Sequence, residues 1–268
     1  MSDTSRYAVV LMATYLDKIL DSHREAAGRD TRSLDAVLRD VAGMEPCRGF
    51  RAALQGRDQL AVISEVKRRS PSKGDLNGTL DPAELAANYE AGGASCMSVL
   101  TDVGFFGGSV ADLHAARAAC SLPVIRKDFT VSALDVVDTR LMGADCVLLI
   151  AAALAPSELA EYHALAVEIG LDVLVEIHDE QELEHALAAQ ATLIGVNQRD
   201  LVTFQVDHDR AVRMAGVIPD HAVKVAESGV RGRSDALSLR AAGYDAVLVG
   251  ETLVTATDPA AALAELIV

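Results

Sequence analysis

Eight short apolar runs rich in β-forming residues recur along the chain, at 60–66, 95–101, 122–126, 144–150, 171–177, 191–196, 222–226 and 244–249. Their starts lie roughly 20 to 35 residues apart, the length of one strand–helix unit. Parallel strands need long crossovers, and eight such units in series, all turning the same way, close on themselves. The sequence therefore predicts an α/β fold, a (β/α)8 TIM barrel with an N-terminal helical extension. A doubly wound open sheet is the alternative. It would carry a glycine-rich nucleotide turn after its first strand, and here Lys67-Arg68-Arg69-Ser70-Pro71-Ser72 stands there instead.

Helix patterns fill the gaps. Asp81-Pro82 opens the first, with proline in the first turn. Others are expected at 109–119, 132–141, 156–169, 180–189, 207–215, 233–242 and 259–267, and Gly143, Gly170 and Gly243 fall just past helix ends, where a left-handed residue is wanted. Residues 1–56 are expected to form two helices, at 9–27 and 33–40, packed on a single catalytic barrel domain at 57–268. Residues 7–16 could pass for a signal segment, but Asp17, Lys18 and Asp21 follow at once and the apolar residues continue at helix spacing.

Half of the residues are apolar, enough for a large core, and the net charge of −15 argues against a nucleic-acid partner. An anionic ligand must then be drawn by a local positive site. No run is long enough to cross a bilayer. Cys47, Cys96, Cys120 and Cys146 show no paired spacing and read as reduced thiols of a cytoplasmic protein. The seven histidines show no ligand spacing, so no metal is expected; His178, two residues beyond Glu176, could reach the active face.

Barrels of this kind keep their chemistry where the strands end. Glu65 and Lys67 are two apart on the first strand and so share a face, which could be the barrel interior. The Ser70-Pro71-Ser72-Lys73-Gly74 loop that follows offers hydroxyls and amides. Arg126-Lys127-Asp128-Phe129 ends the third strand; burial there would lower the Lys127 pKa and fit it to donate protons. Glu176 lies within a strongly apolar strand and suits base work at a raised pKa. Asn197 can bond substrate oxygens, and Arg199 can grip a carboxylate with both arms. Ala226-Glu227-Ser228-Gly229 and Val249-Gly250-Glu251-Thr252 end strands seven and eight, where glycine amides often hold phosphate.

Together with Phe105-Phe106-Gly107-Gly108-Ser109 and Leu148-Leu149-Ile150, these motifs make the chain resemble the indole-3-glycerol-phosphate synthase family of tryptophan biosynthesis, over roughly residues 14–268. Residues 1–13 then look like an added leader. The resemblance implies conversion of 1-(2-carboxyphenylamino)-1-deoxyribulose 5-phosphate to indole-3-glycerol phosphate, carbon dioxide and water, with no cofactor or metal. It implies that Lys127 is the general acid and Glu176 a catalytic carboxylate. Lys67, oriented by Glu65, would contact the substrate carboxylate and serve as a second proton donor. Asn197 and Ser228 would position the substrate. Ser70, Gly229, Gly250 and the Glu251 amide would bind phosphate, and Phe105, Phe129 and Leu148 would wall the aromatic ring. The expected partner is this phosphorylated small molecule alone, for a monomer or weak homodimer. The other readings are a different phosphosugar barrel enzyme, such as an isomerase or a tryptophan synthase α-like lyase, and a non-catalytic paralogue.

Overall fold

The computed structural model describes residues 4–268 apart from Ser72, with side chains from Tyr15 onward. The apolar face expected over residues 7–14, and the whole of the proposed leader, lie outside the described side chains.

Eight parallel strands form a closed barrel: β1 (Ala61–Val66), β2 (Cys96–Leu100), β3 (Val124–Lys127), β4 (Cys146–Ile150), β5 (Asp172–Ile177), β6 (Leu193–Asn197), β7 (Val223–Glu227) and β8 (Ala246–Val249). Each pairs with its sequence neighbour, and β1 closes the ring against β8 with Ala61 opposite Ala246. All eight fall within two residues of the apolar runs. The alternation of side chains along each strand splits the core in two. Ala61, Ile63, Cys96, Ile125, Cys146, Leu148, Leu174, Leu193, Val223, Val225, Ala246 and Leu248 fill the barrel. Val62, Met97, Val124, Val147, Val173, Ile194 and Val247 face the surrounding helices.

The helices are α1 (Thr4–Arg29), α2 (Leu34–Val41), α3 (Phe50–Leu54), α4 (Pro82–Ala91), α5 (Val110–Ala119), α6 (Ala133–Leu141), α7 (Pro156–Glu168), α8 (Glu180–Ala188), α9 (His208–Ala215), α10 (Arg233–Ala241), α11 (Glu251–Val254) and α12 (Pro259–Ala264). Side chains of Asp81, Ser109, Ser132, Asp179, Asp207 and Asp258 accept backbone N–H groups in the first turns that follow them; such caps are worth about 1 kcal/mol each. Gly143, Gly170 and Gly243 take φ of 81°, 81° and 96°, the left-handed exits the sequence predicted.

The extension closes both ends of the barrel. Phe50 and Leu54 of α3 are fully buried within the interior cluster, and nearby Arg48 and Arg51 donate backbone N–H groups to Asp145 and Asp172. Helix α3 is too short to carry a periodic signal and was not foreseen. At the opposite end α1 crosses the mouth. Its Tyr15 ring meets Phe105 after β2 and Phe204 after β6, at 6.0 and 5.4 Å. Its His23 reaches Asp102 at 3.1 Å, and Arg24 donates to the Ala153 carbonyl at 2.9 Å. No described helix is long and apolar enough to cross a membrane.

Candidate active site

Several inward positions at the strand ends carry charged or polar groups instead of hydrocarbon. Glu65, Lys127, Glu176, Asn197 and Glu227 line a cavity of about 510 Å³ at the barrel mouth. The geometry centres on Lys127. Its Nζ donates to Glu176 Oε2 at 2.7 Å and to Glu227 Oε2 at 3.0 Å. Both glutamates are 2% exposed. Asn197 Nδ2 donates to Glu176 Oε1 at 2.9 Å, and its Oδ1 accepts from the Arg199 N–H. Lys67 Nζ donates to Glu65 Oε1, and Ser98 Oγ donates to Glu65 Oε2 at 3.4 Å. Arg126 has the opposite parity and points outward, to Thr101, Asp128, the Asp135 carbonyl and Thr139.

This arrangement reverses two sequence-based expectations. Burial alone would push the Lys127 ammonium down, but the carboxylates of Glu176, Glu227 and Glu65 outweigh it and hold it well above the ordinary lysine range. Burial would push Glu176 up, but the charges of Lys127 and His178 and the bonds from Lys127 and Asn197 bring it below the ordinary carboxylate range. Neither residue is a desolvated group alone in an apolar strand. Glu227 takes the shift instead. Burial and the Glu176 charge raise it to about 7, against the pull of Lys127. Glu227 Oε1 has no hydrogen-bond partner among the described residues.

Glu227 is the cavity-lining side chain that sequence reasoning missed. The signal was available: Val223, Val225 and Glu227 share the inward parity of β7, the same argument that singled out Glu65 and Lys67. The expected aromatic wall also changes. Phe129 and Leu148 line the cavity, but Phe105 does not; its ring packs on Tyr15, and the adjacent Phe106 takes the wall position, 6.2 Å from Phe129. Asp102 Oδ1 accepts both backbone N–H groups, at 2.5 and 3.0 Å, and so fixes the turn that splits the two rings.

The glycine loops lie across the cavity. Ser70, Ser228, Gly229, Gly250 and Glu251 line it, joined by Lys73, Arg199 and Arg231. These are the cations beside the loops, and Arg231 is itself paired with Asp235. Arg199 does not stand free to grip a carboxylate: it donates to the Phe204 carbonyl at 3.1 Å and lies 4.0 Å from Glu251, which Lys73 also approaches. Ser228 and Gly229 take φ of 66° and 74°, a sharp left-handed exit from β7.

A model of the indole-3-glycerol phosphate synthase family matches residues 16–266. The chain belongs to the indole-3-glycerol phosphate synthase family. It is 51% identical over 254 residues to the indole-3-glycerol phosphate synthase of Streptomyces griseus, covering 94% of each chain. Its identity to that of Bordetella pertussis is 45% over 261 residues, 96% of this chain and 100% of the relative. Among solved structures, a 3-hexulose-6-phosphate synthase superposes with a TM-score of 0.61 at 16% identity, over 77% of this chain and 98% of that one. Thiamine phosphate pyrophosphorylase from Pyrococcus furiosus gives 0.56 at 16% identity, over 77% of this chain and 93% of that one. At such identities these two speak for the barrel alone. The family match spans the barrel, all eight strand ends and the described extension from Leu16 onward.

One trio among the described residues comes within reach of a common ion: His23, Asp102 and Asp128. Its oxygens are already engaged. Asp128 accepts from Thr101, Arg126 and the Phe129 N–H, and Asp102 from His23, Phe105 and Phe106. The trio ties α1 to the loops after β2 and β3.

Proposed function

We propose that this chain is an indole-3-glycerol-phosphate synthase, a decarboxylating lyase of tryptophan biosynthesis acting on 1-(2-carboxyphenylamino)-1-deoxyribulose 5-phosphate. The observation that carries the reading is the Lys127 ammonium held between Glu176 and Glu227 inside a cavity with an aromatic wall at one side and cation-flanked glycine loops at the other.

The chemistry needs a proton delivered to the ribulose carbonyl oxygen as the ring carbon bearing the carboxylate attacks that carbonyl. Lys127 supplies it; its two carboxylate partners keep it charged until substrate arrives. Loss of carbon dioxide and then of water restores the aromatic system. Glu176 takes the proton removed in these steps, being the carboxylate held ionised. Lys67, oriented by Glu65, meets the substrate carboxylate and stands as the second donor for the departing hydroxyl. Glu227 fixes Lys127 and offers Oε1 to a substrate hydroxyl. Asn197 and Ser228 position. Phosphate is held by Ser70, Gly229, Gly250 and the Glu251 amide, with Lys73 and Arg199 supplying charge.

No metal takes part, because the ammonium of Lys127 does at the carbonyl oxygen what a Lewis acid would do. Residues 1–56 act as an extension of one catalytic domain at 57–268. The protein is a monomer or weak homodimer: the exposed large apolar side chains among the described residues are four valines and one leucine, without the aromatic anchors of strong interfaces. Four free thiols fit a cytoplasmic setting. The decisive assay follows the ultraviolet absorbance of indoleglycerol phosphate with purified protein after prolonged EDTA treatment and desalting. Product should form at the untreated rate. No product with the carboxyphenylamino substrate, or a rate restored only by a divalent ion, would overturn the reading.

A further inference from the structure

His178 lies two residues beyond Glu176, outside the lining of the cavity, with its side chain 12% exposed. Glu182 of α8 clamps it. One oxygen, Glu182 Oε2, accepts from the His178 backbone N–H at 2.7 Å and from ring Nδ1 at 3.0 Å. A carboxylate oxygen can only accept, so Nδ1 carries a proton. The other ring nitrogen is then turned to the back of the active site. Nε2 is buried, has no hydrogen-bond partner among the described residues, and stands 3.9 Å from Glu176 Oε1. A bare lone pair there would face a carboxylate; a protonated nitrogen would face an opposite charge.

The two carboxylates that hold Lys127 are unequal for a related reason. Glu176 has Lys127 on one oxygen and Asn197 on the other, with His178 behind it. Glu227 has Lys127 on one oxygen and nothing on Oε1. One ammonium between two buried carboxylates leaves room for one more proton, shared by the pair.

We propose that His178, clamped by Glu182, is a positioning residue that decides which carboxylate carries this shared proton: its imidazolium keeps Glu176 ionised and sends the proton to Glu227. The inference rests on the reading that Glu176 is the reacting carboxylate. The groups around the ring agree with it. Burial opposes the charged imidazole, as does Arg210 of α9; the Glu182 bond and the charges of Glu176 and Glu182 outweigh both and raise its pKa. Linkage makes the effect mutual, so each partner's proton affinity reports the other's charge.

The test uses the full chain and the variants His178→Gln, Glu182→Gln and Glu176→Gln, with kcat and KM followed from about pH 3 to 9. Removing a cation beside Glu176 raises its proton affinity, so the acid limb of kcat should move to higher pH, by about one unit in His178→Gln. KM should stay within about twofold, because His178 touches no substrate. Glu182→Gln should shift the limb the same way by less. Independently, the ring-nitrogen NMR signals of His178 should titrate above the ordinary imidazole value in the parent and at lower pH in Glu176→Gln. If His178→Gln does not fold, Glu182→Gln and the NMR titration carry the test. An unmoved acid limb, or a His178 titration indifferent to Glu176→Gln, overturns the proposal. Near-parental turnover in Glu176→Gln would instead remove Glu176 from the mechanism, whereas an inactive Glu176→Gln beside an unshifted His178→Gln defeats the His178 inference alone.

Discussion

Gly195 on β6 leaves the space that the carboxylate of Glu227 on β7 fills: a Cβ at position 195 would stand 2.0 Å from Glu227 Oε1. Two adjacent strands thus trade a side chain for a charge in the barrel. The atom in the way is the far end of a flexible side chain, so Gly195→Ala should cost little stability and instead push Glu227 off Lys127. Turnover should fall at least about tenfold, on the scale of a displaced acid–base partner, with a melting temperature close to the parent's. Parental turnover in Gly195→Ala would show that the Glu227 contact is dispensable.

Lys127→Met should be the most damaging single change. Loss of a general acid typically costs about 10²–10⁴-fold. The loss should fall on kcat, since the proposed phosphate contacts lie on other loops. The variant also leaves Glu176 and Glu227 buried together without their cation. The proton affinity of Glu176 then rises above its unfolded value and that of Glu227, already raised, rises further, so stability is lost as pH rises through the raised values. Thermal melts of Lys127→Met should therefore fall away from the parent between mildly acidic and alkaline pH. Ring closure within about threefold of the parent would move the acid role to Lys67.

Glu227 makes its own pH prediction. Its folded-state pKa is raised to about 7 by burial and the Glu176 charge. A carboxyl raised on folding contributes stability that is complete below its unfolded value and is lost as pH rises through the folded one. Glu227→Gln removes that titration. Relative to the parent, its melting temperature should improve between pH about 5 and about 8. Parallel curves for the two proteins across that window would mean Glu227 is ionised throughout.

The proposed phosphate end can be separated from the proposed chemistry only at the right residue. A Cβ on Gly250 would stand 2.2 Å from Glu65 Oε1 and 2.9 Å from Lys67 Nζ. Gly250→Ala should therefore disturb the Glu65–Lys67 pair and lower kcat as well as affinity. Among the described residues Lys73 pairs with Glu251 alone, and its side chain is 57% exposed. Lys73→Met should raise KM several-fold with kcat nearly unchanged, and weaken competition by inorganic phosphate. Equal losses in kcat for both variants would place the phosphate elsewhere.

The strands, most helices and the strand-end face that holds the candidate site were legible in the sequence. They follow from local signals: apolar runs, capping side chains such as Ser109 and Asp179, and glycines at left-handed exits. Glu65, Lys127, Glu176 and Asn197 could be named because each is a polar side chain at or near the end of an apolar run. Tertiary structure decided what those residues experience. Lys127, Glu176 and Glu227 come from strands far apart in the chain, and closure of the barrel brings them within 2.7 and 3.0 Å. At that range the charges overrule burial, which is why the proton affinities of Lys127 and Glu176 run opposite to what their apolar strands suggest. The choice of Phe106 over Phe105, the engagement of Arg199 and the crossing of α1 over the mouth likewise depend on contacts between distant segments. Sequence periodicity places a side chain on a face; only the closed barrel sets which charges meet there.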